Sequence, residues 1–534
     1  MSHGDRPASN VQGTRSPVLA TNGLVATSQP LASAAALRVL QDGGNAIDAS
    51  IAAAAVLSVV EPNSTGIGGD MFALVYMQQD RKPVGINGSG WAGSKASVDF
   101  FTSRKLTGIP LFGMYSVTVP GAVAGWYKLH ERYGKLPMSR ILFPAIEYAE
   151  KGFPVSDIIA TQWHRAEERL RATPDAARTL LTDGRTPRHG NLFKMPKLAR
   201  TLRMIAEGGR DAFYKGEIAA KIVEFSDTHD GMSTIEDFAD FDAQWIEPVS
   251  TNYHGYDVYE LGAQTQGITA IEMLNILEGY DLQSLGHNSA EYLHLMVEAK
   301  KLAFADRDAY IADPEKARVP VERLISKEYA AERRKLISLT RAMPNPEPGL
   351  REIGDTVHLT VVDKDRNAVS FINSLFESFG SGLVAGETGI ALHNRGALFS
   401  LDPKHPNVIA PRKRPFHTLI PGMVLKGGKP YFSFGVMGGD NQPQGHVQAL
   451  INLIDFGMDV QMAGEAPRFR HLGEEILLES AFSAAVRAGL AGKGHRVASA
   501  VDAWGGYQGI LIDPGTGVLM GGSDPRKDGL AIGW

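Results

Sequence analysis

Thr356 heads an apolar alternation, Val357, Leu359 and Val361, directly after Gly354 and Asp355. Strand periodicity puts those three on one face and Thr356, His358 and Thr360 on the other. The stretch 352–369 reads as a hairpin turning at Asp365. With Val362 opposite Ala368, Thr356 falls opposite Ser374, and a slip of one residue would bring Leu375 there instead. His358, two residues along the same face, is roughly 6–7 Å from Thr356, too far to take its proton directly. Were the chain cut between Asp355 and Thr356, Thr356 would carry an α-amine of unperturbed pKa about 8. That amine could serve as base for its own hydroxyl. The Pro- and Gly-rich polar stretch 341–355 is the exposed linker such a cut requires. The competing reading is plain: threonine is a good strand residue.

Acyl transfer also needs donors for an oxyanion. "FSFGVMGGDNQPQGHV" ends a strand at Met437 and passes through Gly438 and Gly439 into a helix. Glycines there allow a tight turn that points backbone N–H groups outward near a helix N-terminus. An ordinary strand–turn–helix corner is the alternative. "STGIGGD" (64–70) invites comparison with a phosphate loop, but it lacks the Lys-Ser/Thr pair and precedes a strand. Glu298, Asp306 and Asp308 sit in one helical run and read as a solvated or salt-bridged face before they read as bases or ligands.

The elements that would carry these residues change in texture at the linker. Before it lie a strand at 23–30, a helix from Pro30 to about Gln41 and an Ala-rich helix from about Ala46 to Val60. A mostly helical middle follows (120–350), in which Asn288 caps a helix with Glu291 three residues on. After the linker come the hairpin, "GIALHN" (389–394) as a strand, a Pro- and base-rich loop (402–415), paired strands across 421–437, a helix with Val447, Leu450, Ile451 and Ile454 on one stripe, and a closing hairpin. Strands and helices segregate, which favours a layered α+β fold over a doubly wound sheet.

The 534 residues are 43% hydrophobic and 21% charged, with a net charge of −5, ordinary for a globular chain. That balance does not favour a nucleic-acid partner. The absence of cysteine excludes disulfides, thiol nucleophiles and sulfur-based zinc sites. No cofactor or metal is called for. No signal peptide is visible and no apolar run would span a bilayer, so a cytoplasmic protein without a membrane partner is expected. Oligomeric state, including a homo-oligomer, stays open.

"GDTVHLTVVDKDRNAVSFINS", "FGSGLVAGETGIALHN", "KRPFHTLIPG", "GVMGGDNQPQGHVQALINLIDFGM", "APRFRH" and the final "SDPR" resemble the small-subunit part of γ-glutamyltranspeptidases. "ALRVLQDGGNAIDASIAAAAVLSVVEPNSTGIGGDMF" and "HLMVEAKKLAFADRDAYIADP" resemble the part before it. The resemblance implies an N-terminal nucleophile hydrolase with a four-layer αββα sandwich. It also implies self-cleavage between Asp355 and Thr356 into a large subunit (1–355) and a small one (356–534), together one domain. Carried over by position, Thr356 is the nucleophile, Ser374 stands where the family has a supporting Thr, and Gly438 and Gly439 form the oxyanion pair.

The departures lie in the acyl pocket. Where the family holds a glutamyl α-amino group with Asn, Gln and Asp, this sequence has Phe376, Arg395 and Leu398. The carboxylate-binding Arg aligns approximately with Ser89, and the tandem serines become His417 and Thr418. The lid is also shorter. A cation and apolar groups cannot hold an ammonium, so the resemblance points to an amidohydrolase for an acyl group without a free α-amine. Arg395 suggests a carboxylate on it, as in oxamate. The alternatives are a genuine γ-glutamyl hydrolase or transpeptidase, a cephalosporin-acylase-like enzyme with room for bulky acyl groups, and an unprocessed binding or scaffold protein.

Overall fold

The computed structural model describes residues 14–344, 355–500 and 504–534. Most of the expected linker, including Gly354, lies outside them. Fourteen strands build two antiparallel sheets: β1 (Val18–Ala20), β2 (Leu24–Thr27), β3 (Asp70–Tyr76), β4 (Pro83–Gly88), β5 (Gln244–Ile246), β6 (Val249–Tyr253), β7 (Tyr256–Glu260), β8 (Asp355–Val362), β9 (Ala368–Phe376), β10 (Gly422–Lys426), β11 (Lys429–Val436), β12 (Tyr507–Ile512), β13 (Leu519–Ser523) and β14 (Leu530–Gly533). The first sheet runs β14-β2-β8-β9-β3-β4-β5 and the second β1-β13-β12-β11-β10-β7-β6.

Three apolar layers follow from the strand alternation. Leu24, Phe72, Leu74, Ile372, Met423 and Ile510 fill the space between the sheets. Val357, Leu359 and Val361 turn the other way, onto helices α1 (Pro30–Gln41) and α2 (Ala46–Val60). On the far side, Val424, Phe432, Phe434 and Val436 meet α3 (Gly267–Leu277), α4 (Ala290–Tyr310) and α5 (Asn441–Ile454). Helices, sheet, sheet, helices is the αββα sandwich. Helix α2 is buried at every position, as an all-round apolar helix must be. Asn45 caps it in a reciprocal box with Asp48.

Several local expectations give way. Ser289, not Asn288, caps α4: Asn288 has φ 55°, and the Ser289 Oγ accepts the Tyr292 N–H at 3.0 Å. The segment 389–394 is no strand. Val384 and Ala391 form only an isolated bridge, and the segment lies across Gly68, whose missing side chain would meet the Ala391 carbonyl. That close approach accounts for one glycine of "STGIGGD". The helical middle also contains β5, β6 and β7, short strands at the open sides of the sheets. Among the described residues no helix is long and apolar enough to cross a membrane.

Candidate active site

Strands β8 and β9 keep the expected register from Val362–Ala368 to Val357–Asn373 and then shift, so that Asp355 pairs with Phe376. Ser374 and Leu375 thus stand against the single residue Thr356, which is a β-bulge. Direct opposition of Thr356 and Ser374 is lost, yet their hydroxyl oxygens lie 3.1 Å apart, both buried. The Ser374 Oγ also accepts the Phe376 N–H at 2.7 Å and an Arg395 Nη2 hydrogen at 3.3 Å. Phe376 has φ 79°, a region an aromatic residue rarely enters.

The polar face of β8 looks across the sandwich at β11. Thr360 Oγ1 and Ser433 Oγ are 2.7 Å apart, and a Cβ on Gly435 would run into the His358 ring. Continued by two residues, the same antiparallel stepping would bring Thr356 level with Met437, the residue before Gly438. Gly438 and Gly439 have φ 116° and 56°, which glycine adopts without strain. Among the described residues neither of their N–H groups has an acceptor. His358 itself is committed elsewhere, 2.9 Å from the Ser370 Oγ, and burial drives its pKa well down.

Arg395 is fully buried behind Ser374. Its Nη1 donates to the Thr418 Oγ1 at 2.7 Å, and its guanidinium carbon lies 4.3 Å from the centre of the Phe376 ring. Phe376 and Leu398 join Ile268, Ile311, Leu324 and Phe416 in an apolar cluster. His417 donates through Nε2 to Asp70 Oδ2 (3.1 Å) and accepts the Leu419 N–H on Nδ1 (3.2 Å). Burial and the Arg395 charge push its pKa down to about 3, in keeping with that neutral tautomer. Burial works against the charge of Asp70, but the neighbouring His393 and His417 and the Arg395 charge outweigh it and hold the carboxyl below its usual range. Asp70 Oδ1 also accepts the Gly90 and Gly121 N–H groups (2.9 and 3.2 Å). Ser89 is buried one residue away, with its hydroxyl on the Gln264 amide at 3.0 Å.

The site therefore gathers Thr356, Ser374, Phe376, Arg395 and Thr418, with His417 and Ser89 one layer behind, and Gln266 links it to the Gly438–Gly439 turn by donating to both the Thr418 and the Gly439 carbonyl. Sequence reading missed Asp70 and Gln266. Asp70 closes the Gly-rich loop and pairs with Ser374 across β3 and β9, a link only the sheet order reveals.

Comparison with known proteins settles the lineage. Residues 32–534 match the sequence model of the gamma-glutamyltranspeptidase family. The chain belongs to this family. Its relatives include a glutathione hydrolase-like proenzyme (YwrD) of Bacillus subtilis, 42% identical over 97% of this chain and 99% of that protein. An oxamate amidohydrolase proenzyme of Klebsiella pneumoniae is 37% identical over 97% and 99%. The crystal structure of a cephalosporin acylase from Bacillus halodurans superimposes with TM-score 0.93 at 44% identity, covering 99% of both chains. The protein is thus a γ-glutamyltranspeptidase-family enzyme with the N-terminal nucleophile hydrolase fold.

Other clusters of chemical side chains resolve as structure. Glu298 pairs with Lys301 (2.8 Å), Asp306 with Arg333 (3.0 Å) and Asp308 with Arg307 (2.8 Å). These are largely buried ion pairs, not a solvated face. His294, Glu298 and His495 bring potential metal-ligand atoms within 4.8 Å. Protein partners already use them: His294 Nδ1 lies 2.7 Å from His495 Nε2, its Nε2 donates to the Ser338 carbonyl (2.6 Å), and the Lys301 ammonium holds the cation position beside Glu298.

Proposed function

We propose that this protein is an amidohydrolase that cleaves itself between Asp355 and Thr356 and then hydrolyses a small carboxylate-bearing amide of the oxamate type. The freed Thr356 amine takes the proton of its own hydroxyl, and Thr356 Oγ1 attacks the amide carbonyl. Ser374 orients that oxygen, and the Gly438 and Gly439 N–H groups receive the charge forming on the carbonyl oxygen. The amine leaves with a proton, and water then releases the acyl group from the Thr356 ester.

The observation that carries the acyl assignment is Arg395. Its guanidinium donates to the hydroxyls of Ser374 and Thr418, and Ser374 in turn meets the Thr356 hydroxyl, which puts a cation one side chain from the nucleophile, suited to an acyl group that carries a carboxylate. Phe376 and Leu398 lie in an apolar cluster, and their side chains offer an α-ammonium no acceptor. The proenzyme names of the Bacillus and Klebsiella relatives support processing, and the Klebsiella relative is named for oxamate. A second reading, a bulkier acyl group, draws on the apolar wall and the acylase neighbour.

A panel of oxamate, glutaryl amides and γ-glutamyl-p-nitroanilide separates these readings. Turnover of the carboxylate-bearing amides, lost at least tenfold in Arg395→Met, is expected. Robust turnover of the γ-glutamyl anilide would contradict the proposal, and preference for uncharged bulky acyl amides would favour the second reading.

A further inference from the structure

A Gly-Gly turn is the least rigid way to aim two N–H groups, so something outside it must hold it. Its own bonds supply part: the Asn441 N–H reaches the Gly438 carbonyl (3.0 Å) and the Gln442 N–H the Gly439 carbonyl (3.1 Å). A second grip comes from the other side of the expected cut. Gln266, buried at the start of α3, donates through one amide nitrogen to the Gly439 carbonyl (2.8 Å) and the Thr418 carbonyl (2.7 Å). Its amide oxygen accepts Arg307 Nη1 at 3.1 Å, and the same nitrogen donates to Asp440 Oδ1 at 2.6 Å.

We infer that Gln266 and Arg307 are positioning residues that fix the oxyanion turn and tie it to the wall bearing Arg395. Because a peptide unit is planar, holding the Gly439 carbonyl fixes the orientation of the following unit and limits rotation of the turn. Arg307 then locks the Asp440 side chain, so the turn is gripped at two successive residues just beyond its donors. The Thr418 carbonyl hangs on the same Gln266 nitrogen, and the Thr418 hydroxyl holds Arg395. One side chain thus couples the charge-stabilising side of the site to its acyl-recognising side. A residue sensing only structure would change stability; one that aims donors changes the chemical step.

The inference rests on the Gly438–Gly439 reading above, and the two fail differently. Four variants are compared with wild type: Gln266→Met, which keeps length but removes the hydrogen bonds, Arg307→Lys, Arg307→Met and Gly439→Ala. The rate at which the full chain becomes two bands is followed on denaturing gels, with thermal melting alongside. For chains that complete cleavage, kcat and KM for oxamate are measured. Gln266→Met should slow cleavage about ten- to a hundredfold and lower kcat in step, with KM within about twofold. Arg307→Lys should recover much of what Arg307→Met loses. A Gln266→Met chain that cleaves and turns over like wild type while Gly439→Ala is slow overturns the inference and keeps the oxyanion turn. A raised KM at unchanged kcat overturns it as well, leaving Gln266 a pocket residue only. If Gly439→Ala is as fast as wild type, the oxyanion reading falls and this inference with it. If wild type leaves oxamate untouched, the acyl assignment falls while the cleavage rates still decide the role of Gln266.

Discussion

At the scale of single residues, the account turns on hydroxyls and who shares them. Ser374 serves Thr356, the Phe376 N–H and Arg395 with one oxygen. Ser374→Ala strands a buried backbone donor, which costs about 1–3 kcal/mol, and lets the nucleophile wander. We expect kcat to fall roughly ten- to a hundredfold in steady-state assays of the cleaved enzyme, with Ser374→Thr restoring most of it. His358, the obvious histidine in the sequence, takes no part. Its Nε2 is spent on Ser370, and burial keeps it neutral.

At the scale of elements, a layered α+β fold was legible because strands and helices segregate along the chain, whereas the four-layer αββα order came only from the resemblance to γ-glutamyltranspeptidases. The β8–β9 register could be read from a turn and a pairing sum up to Asn373. The bulge could not, because one extra residue leaves no mark in an alternation already ending at a loop. Asp70, Gln266 and Arg307 stayed hidden for another reason: their roles come from contacts 40 to more than 300 residues away, which no local pattern encodes. The layer between the sheets offers a test of element packing. Gly435 admits the His358 ring, and a Cβ there would come within 2.4 Å of it. Gly435→Ala should destabilise the fold by about 1–3 kcal/mol in denaturant unfolding. Much of that loss should disappear in a His358→Ala background, since the clash is with that ring.

At the scale of the whole molecule, buried neutral histidines set the acid limit. Burial lowers His358 and His471 well below their usual range and brings His417 and His495 to about 3. A histidine depressed in the folded state costs nothing above its unfolded pKa of about 6.5, and destabilises as pH falls from there toward the folded value. Each contributes up to about 1.4 kcal/mol per pH unit. Glu260, raised by burial, slopes the other way, and Asp70, held low, comes into play only at lower pH. With eight histidines lowered among the described residues (His287, His294, His358, His393, His417, His446, His471 and His495) against two glutamates raised well up (Glu260 and Glu272), the urea midpoint should drop as pH falls from about 6.5 to about 5. Strands on both sides of the Asp355–Thr356 bond build one fold, since β8 and β9 pair with β2 and β3, so the two chains that the proposed cleavage would produce should stay together. The central claim, that Thr356 is a nucleophile unmasked by the chain itself, is tested most directly by intact-mass spectrometry of the purified protein after incubation. The account predicts two chains that remain associated in native conditions, with masses placing the break between Asp355 and Thr356. A single full-length mass, or a break elsewhere, in a preparation that hydrolyses amides would contradict it.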